Sequence, residues 1–336
     1  MLFYCYFPLL IYLFINERQE LKMNKITIIG TGSVGSTIAY TLAVQGMASE
    51  IVMIDINEKK ARGEALDIRQ GTPFCSSVSI YAGNYSDAKD SDIVIITSGI
   101  PRKAGQSRLE LAQVNVNVTK QIAPEITKYC PDATYIFVSN PVDILTYTFA
   151  KVSGLPENQI VGSGTILDTA RLRSKLAEDY SISQQNVHAY VFGEHGDSSF
   201  VPWSLANISN IPVDEYQASI SGSKGLYPAL NHEEIEEYVR KSGGRVIASK
   251  GATFYAVSIS VCHLVKCLLS GADTTLTVST MMHGEYGIDD VCLSTLTVVG
   301  ANKVKGKLIT PLTDAEVALL QKSAESLKSV INSIEI

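Results

Sequence analysis

Histidine and tryptophan are scarce in this 336-residue chain, five of the first and one of the second, and none of its six cysteines stands in CxxC spacing. Cys5, Cys75, Cys130, Cys262, Cys267 and Cys292 are scattered, which argues against both a zinc site and a disulfide framework. Reduced, buried thiols are the expected state, and with them a cytoplasmic location and no metal. Basic residues are in deficit as well: 28 Lys and Arg face 34 Asp and Glu, a formal net charge of -6. A net acidic surface argues against nucleic acid as the main partner, because phosphate binding calls for a basic face. A membrane-spanning run is also lacking. "LFYCYFPLLIYLFI", residues 2–15, contains Pro8 and falls short of the ~20 residues of a spanning helix. It has neither the basic flank nor the small-residue cleavage site of a secretory signal. Met23 stands immediately before the first strand pattern, so residues 1–22 are expected to form an extension outside the fold, with a misassigned start as its origin.

What is present is a regular alternation. "KITIIG" (25–30), "EIVMID" (50–55), "VSIYAG", "DIVIITSG" and "ATYIFVSN" (133–140) read as buried strands, with helical patterns at 33–46, 58–70 and 108–129 between them. Strands spaced by helices of this length predict right-handed crossovers and a parallel sheet covered on both faces, an α/β doubly wound architecture. Beyond "QIVGSG" (159–164) the pattern changes. A helix is expected over 165–180, a strand at "NVHAYVFG", helices at 232–242 and 244–269, an antiparallel pair at "TLTVSTMMHG" and "DVCLSTLTVVG", and a closing helix over 313–334. The expected organisation is a nucleotide-binding domain over 23–163 and a mixed α/β substrate domain over 164–336, with no internal repeat and no low-complexity linker.

"GTGSVG" places Gly30, Gly32 and Gly35 between the first strand and its helix, and Asp55 ends the second strand 20 residues after Gly35. A GxGxxG alone is weak evidence; strand before, helix after and acid at the second strand end together make it specific. The first glycine serves the tight turn, the second lets backbone approach a pyrophosphate, and the third allows close helix packing. Asp55 would accept from ribose hydroxyls and repel a 2′-phosphate, favouring NAD over NADP.

In "GSGTILDTARLR", Asp168 and Arg171 are i and i+3 near a helix start and share a face. "VFGEHGDSS" sets His195 between glycines in a stretch too rich in turn residues for a plain strand. A His within reach of a buried Asp is the usual means of moving a proton at neutral pH. On spacing alone, a solvated ion pair and a structural histidine remain open alternatives.

The set "GTGSVG", "SNPVDILTY", "GSGTILDTARLR" and "GEHGDS" resembles the NAD-dependent lactate/malate dehydrogenase family, and "GEHGDS" with "GSGTILD" its bacterial lactate branch. The resemblance runs from about residue 24 to the C-terminus and includes "KGATFYAVS" and "VSTMMHGEYGI". It implies a Rossmann-type domain followed by a catalytic domain, NAD as cofactor, a small 2-oxo or 2-hydroxy acid as substrate, and reduction of pyruvate to L-lactate. By the same resemblance His195 donates and accepts the proton, Asp168 orients and stabilises the imidazole, and Arg171 grips the substrate carboxylate through its planar fork. Arg108, carried on a closing loop, polarises the carbonyl. Asn140 hydrogen-bonds near the same oxygen, the following Pro141 is a candidate for a cis bond, and Thr253 lines the substrate pocket. Val34, Lys60, Tyr85, Gly99, Val138, Ser139 and Asn140 match cofactor contacts beside Gly30, Gly32, Gly35 and Asp55.

"SGIPRKAGQSRLEL" adds a complication. Arg102 takes the position implied to read the substrate's C3 substituent, where lactate enzymes commonly carry glutamine and malate enzymes arginine, and Gln106 stands where glutamate is usual. The loop is two charges more positive than the lactate pattern, which keeps oxaloacetate, and so malate dehydrogenase, as the alternative. Arg173 and His188 match positions that bind fructose 1,6-bisphosphate in bacterial relatives, so an allosteric activator is expected, and the resemblance implies a homotetramer. A catalytically dead nucleotide-binding homologue would carry a broken His195, Asp168, Arg171 or Arg108, and all four are intact. Asn302 replaces a residue commonly glycine in the family and should affect a turn only.

Overall fold

The computed structural model describes residues 24–100, 108–221 and 230–336. The expected 1–22 extension, Arg102 and Gln106 lie outside the described residues, as does the side chain of Arg108. The first half alternates as the sequence predicts, with α4 added between its last two strands: β1 (Lys25–Ile29), α1 (Ser33–Gln45), β2 (Glu50–Ile54), α2 (Glu58–Gly71), β3 (Ser79–Ala82), β4 (Ile93–Ile96), α3 (Arg108–Thr127), β5 (Thr134–Phe137), α4 (Val142–Val152) and β6 (Ile160–Gly162). The second half adds α5 (Ile166–Asp179), short strands β7 (Val187–His188), β8 (Asn207–Ile208) and β9 (Ile211–Pro212), then α6 (Val213–Ser219), α7 (His232–Lys250), α8 (Tyr255–Leu269), β10 (Thr274–His283), β11 (Asp289–Gly300), β12 (Lys303–Lys307) and α9 (Asp314–Ile331).

β3-β2-β1-β4-β5-β6 pair in parallel in that spatial order, the doubly wound arrangement. Alternation along each strand sends side chains to two cores. Ile26, Ile28, Ile51, Met53, Ile93 and Ile95 pack toward Ile38 and Leu42 of α1 and Val261 and Leu264 of α8. Ile29, Val52, Ile54, Val94 and Ile96 face Val116 of α3, Leu145 and Phe149 of α4 and Leu320 of α9. Each such large apolar side chain contributes roughly 1.5–3 kcal/mol on burial, which is why these strands read as unbroken apolar runs. The antiparallel β10, β11 and β12 continue the same nine-stranded sheet, joined to β6 through the single pair Ser279 and Gly162.

Two local expectations are corrected, and one helix is added. "NVHAYVFG" forms a strand only at Val187–His188, with isolated bridges at Phe192 and Gly193, because its residues partner β8, Phe200 and Ser294 in turn rather than one strand. The helix break expected near residue 243 lies instead at Gly251, which takes the left-handed conformation (φ 84°) and returns its N–H to Ile247 O at 2.8 Å. Gly243 and Gly244 are inside α7, so the helix absorbs two poor formers. The added helix is α4. Residues 142–149 are all buried, so polar Asp143, Thr146 and Thr148 face protein rather than solvent and the polar side of the helix does not mark a surface.

Candidate active site

The glycine loop lies where the strand order reverses, between β1 and β4, at the carboxyl ends of the strands. Gly30 has φ +100°, and a Cβ there would come within 2.6 Å of Ser98 N. A Cβ on Gly35 would sit 1.9 Å from Gly30 O, so α1 can approach the strand only with glycine at that position. Gly32 differs: a Cβ there would meet nothing within 4 Å. It is the N-cap of α1 and supplies no side-chain cap, so open space lies against the exposed N–H groups and positive end of a helix. That cradle fits a dinucleotide's pyrophosphate. Asp55 follows β2 and holds the loop as well: its Oδ2 accepts from Thr31 N at 2.7 Å and Thr31 Oγ1 at 3.1 Å, and its Oδ1 from Asn57 N at 2.9 Å.

The other residues matched to cofactor contacts ring the same crevice. Val34 opens α1, and its carbonyl accepts from Ser258 Oγ of α8 at 3.3 Å. Lys60 is exposed on the first turn of α2. Half-buried Tyr85 packs at the α3 side, its phenol raised by burial and by Glu125. Gly99 faces Ser139, whose Oγ donates to Ser98 O at 2.6 Å, so the ends of β4 and β5 are tied together beside Val138 and exposed Asn140. The Asn140–Pro141 bond is cis. Sequence reasoning missed the residue that organises this corner. Asn115 of α3, buried, donates to Asn140 O at 2.8 Å and accepts from Ile100 N at 2.8 Å, fixing the chain at the edge of the 101–107 segment to the strand-end asparagine. An amide within an apolar helix stretch, "QVNVNV", was the available signal.

Across the crevice, Ser294 of β11 draws two distant segments together. Its Oγ accepts from Thr165 N at 3.1 Å at the start of α5, and its backbone pairs with Gly193 at 3.0 Å in both directions. Asp168 in the first turn of α5 thereby meets His195. The carboxylate is 6% exposed, with Oδ2 2.5 Å from His195 Nδ1 and Oδ1 2.7 Å from Arg171 Nη1. An ionised carboxylate has no proton to give, so the imidazole donates from Nδ1 and keeps Nε2 for a third group. Asp168 raises the imidazole to about 9 by its charge, against desolvation. Burial pushes Asp168 up, but His195 and Arg171 outweigh it and hold the carboxyl below its ordinary value. Beside Arg171 lies Gly243, where a Cβ would stand 3.4 Å from the guanidinium. Thr253 is half-buried in the link between α7 and α8.

Arg173 and His188 are apart from this cluster. Arg173 lines a largely apolar cavity of about 380 Å³ with Tyr190, Ile259 and His263, and its Nη2 donates to Gln184 O at 3.4 Å. His188 is exposed on β7, and no hydrogen bond joins it to Arg173 among the described residues. Asn302 occupies the turn its position suggested: it and Ala301 both have positive φ, 59° and 47°, between β11 and β12. Among the described residues, no helix is long and apolar enough to cross a membrane.

A helix-capped cradle opposite a paired imidazole and a guanidinium suits an enzyme that handles a dinucleotide and a small carboxylate together, which in class is a nicotinamide-dependent dehydrogenase. Residues 24–162 match the NAD-binding domain of lactate/malate dehydrogenases, and residues 165–335 match their α/β C-terminal domain. The chain belongs to that family, and it is an NAD-dependent 2-hydroxy-acid dehydrogenase. It is 46% identical over 321 residues to the L-lactate dehydrogenase of Acetivibrio thermocellus, covering 96% of this chain and 100% of that protein. The L-lactate dehydrogenase of Clostridium perfringens is 46% identical over 316 residues, 94% of this chain and 98% of the relative. Among solved structures, the minor L-lactate dehydrogenase of Enterococcus mundtii, in a ligand-bound form, superposes with a TM-score of 0.88 at 36% identity, over 94% of this chain and 99% of that one. The enzyme of Clostridium thermocellum gives 0.82 at 39% identity, covering 93% and 100%.

Proposed function

We propose that the protein is an L-lactate dehydrogenase, reducing pyruvate to L-lactate with NADH and running in reverse. The observation that carries the reading is the double engagement of one buried carboxylate, Asp168, by His195 and Arg171. That the relatives compared above are L-lactate dehydrogenases favours pyruvate over oxaloacetate. The hydride for carbon 2 comes from the nicotinamide of the cofactor. His195, protonated at neutral pH, gives the Nε2 proton to the substrate oxygen, and Asp168 keeps the ring oriented while its charge stabilises the imidazolium. Arg171 binds the substrate carboxylate bidentately, with Asp168 fixing the fork in place. Arg108 stabilises charge building on the carbonyl oxygen, Asn140 donates to the same oxygen, and Thr253 contacts the substrate's methyl group. Gly30, Gly32, Val34, Gly35, Asp55, Lys60, Tyr85, Gly99, Val138 and Ser139 hold the dinucleotide. The proposed division of labour is a nucleotide domain over 23–163 and a substrate domain over 164–336, in a cytoplasmic enzyme.

Arg102 and Gln106 favour the second reading, malate dehydrogenase, by adding positive charge where a C3 carboxylate would lie. Steady-state comparison of the two 2-oxo acids decides between them. Pyruvate is expected to have the higher kcat/KM; a value for oxaloacetate ~10-fold above it, only ~1.4 kcal/mol, reverses the assignment. We further propose a homotetramer in which Arg173 and His188 hold a phosphate of fructose 1,6-bisphosphate, shifting subunits to the active arrangement. If saturating activator leaves the pyruvate curve and the particle size unchanged, that part of the proposal falls.

A further inference from the structure

A second carboxylate meets His195 from the opposite half of the sheet. Asp143 lies in the first turn of α4, three residues after Asn140, and is 3% exposed. Its Oδ2 accepts from the His195 backbone N–H at 2.7 Å. The bond spans 52 positions of sequence and ties residue 195 to the segment that carries Asn140. Two of the groups proposed to meet the substrate oxygen are thus fixed to one another through a single side chain. The positive end of α4 favours a negative charge here. Desolvation nevertheless raises the carboxyl to about 6, opposed by the Ser279 hydroxyl, the His195 N–H and the imidazolium charge. Ser279 Oγ acts at short range, although neither it nor Asp143 Oδ1 meets hydrogen-bond geometry with any described residue. His195 is the cation among the groups acting on Asp143, and Glu194 beside it is unfavourable.

We propose that Asp143 is a positioning residue for the proton-transfer step, holding the peptide of His195 and placing a second negative charge against its imidazole. The inference rests on the reading of His195 as proton carrier. The charged groups acting on the imidazole are then Asp168 and Arg171 from α5 and Asp143 from α4. Asp143 in turn has Glu194 in the loop and the buried Cys292 thiol of β11 as neighbours. Asp143 is ionised over the range in which His195 loses its proton, so its charge adds to that of Asp168.

Asp143→Asn tests this in the full chain, because the amide oxygen can still accept from the His195 N–H while the charge is gone. The pH profile of kcat/KM for pyruvate should shift its alkaline midpoint down by roughly 0.5–1 pH unit. Rates near wild type are expected at acid pH, with a loss of about 3- to 10-fold on the alkaline side. A merely structural role would lower the profile without moving it. A folded variant, by thermal melt, with an unmoved midpoint overturns the proposal. A second measurement needs no variant at Asp143: ¹⁵N-histidine spectra of the wild-type enzyme, with the residue 195 signals assigned by their loss in His195→Asn. The residue 195 amide should follow the titration of the carboxylate that accepts from it as pH falls, and an amide signal flat across the whole acid limb also overturns it. Absence of pyruvate reduction by the wild-type enzyme would instead sink the underlying reading, while the amide titration would still report whether the carboxylate acts on residue 195.

Discussion

Replacing Asp168 with Asn removes one charge and one of the two oxygens that accept from His195 and Arg171, and its consequence for the imidazole can be worked through from the geometry. The His195 imidazole has an ordinary value of 6.5 and is held at about 9, chiefly by the carboxylate 2.5 Å away. That interval corresponds to roughly 3 kcal/mol of preference for the protonated ring. Pyruvate reduction needs the ring protonated, so wild-type activity persists below the raised value and is lost as pH rises through it. In Asp168→Asn the ring returns to its ordinary value or below, since burial without a partner disfavours the charge. The ratio of wild-type to variant kcat/KM for pyruvate should therefore be close to one near pH 6, about 10 at pH ~7.5 and about 300 well above pH ~9, on top of any pH-independent loss. Lactate oxidation needs the neutral ring, so its pH-dependent part runs the other way: the same ratio should rise from about 0.003 well below pH ~6 to one above pH ~9. The assay is NADH absorbance under steady state in both directions, with NADH binding and a thermal melt as controls for folding. A ratio that stays flat from acid to alkaline pH would refute the argument, because the carboxylate would then not govern the imidazole's proton.

Gly32→Ala should leave the melt unchanged yet weaken NADH binding about 10-fold or more, because the new methyl group enters only the open cradle; fluorescence titration measures it. Gly35→Ala, whose Cβ would stand 1.9 Å from Gly30 O, should lower the melting temperature as well, and a normal melt would contradict the packing described. Ala301→Gly relieves a left-handed alanine at φ 47° in the β11–β12 turn and should stabilise the fold by about 1 kcal/mol in urea unfolding without altering kcat.

The parallel half was legible because its signals are local. Apolar runs, helix spacing and the glycine turn each sit within a few residues, and Asp168 and Arg171 announce their shared face by i,i+3 spacing. What escaped depends on distant neighbours. Asn115 and Asp143 matter through partners 25 and 52 positions away, and α4 buries its polar side, Asp143, Thr146 and Thr148, against elements distant in sequence. The break in α7 was misplaced because Gly243 and Gly244 are poor helix formers, whereas the helix runs on through exposed residues 244–250 to the left-handed Gly251, its buried contacts lying upstream at Ile235 and Val239.

The seam at Ser279 and Gly162 bears on how this molecule can be taken apart. Severed after β6, the first half would expose a bare parallel edge and strip α1 of its cover from α8, leaving Ile38 and Leu42 wet. Neither half is expected to keep its packing when cloned alone. Recombination between relatives at that seam would succeed only where both parents agree on the residues of α1 and α8 together, so the boundary that motifs mark most clearly is a poor place to cut.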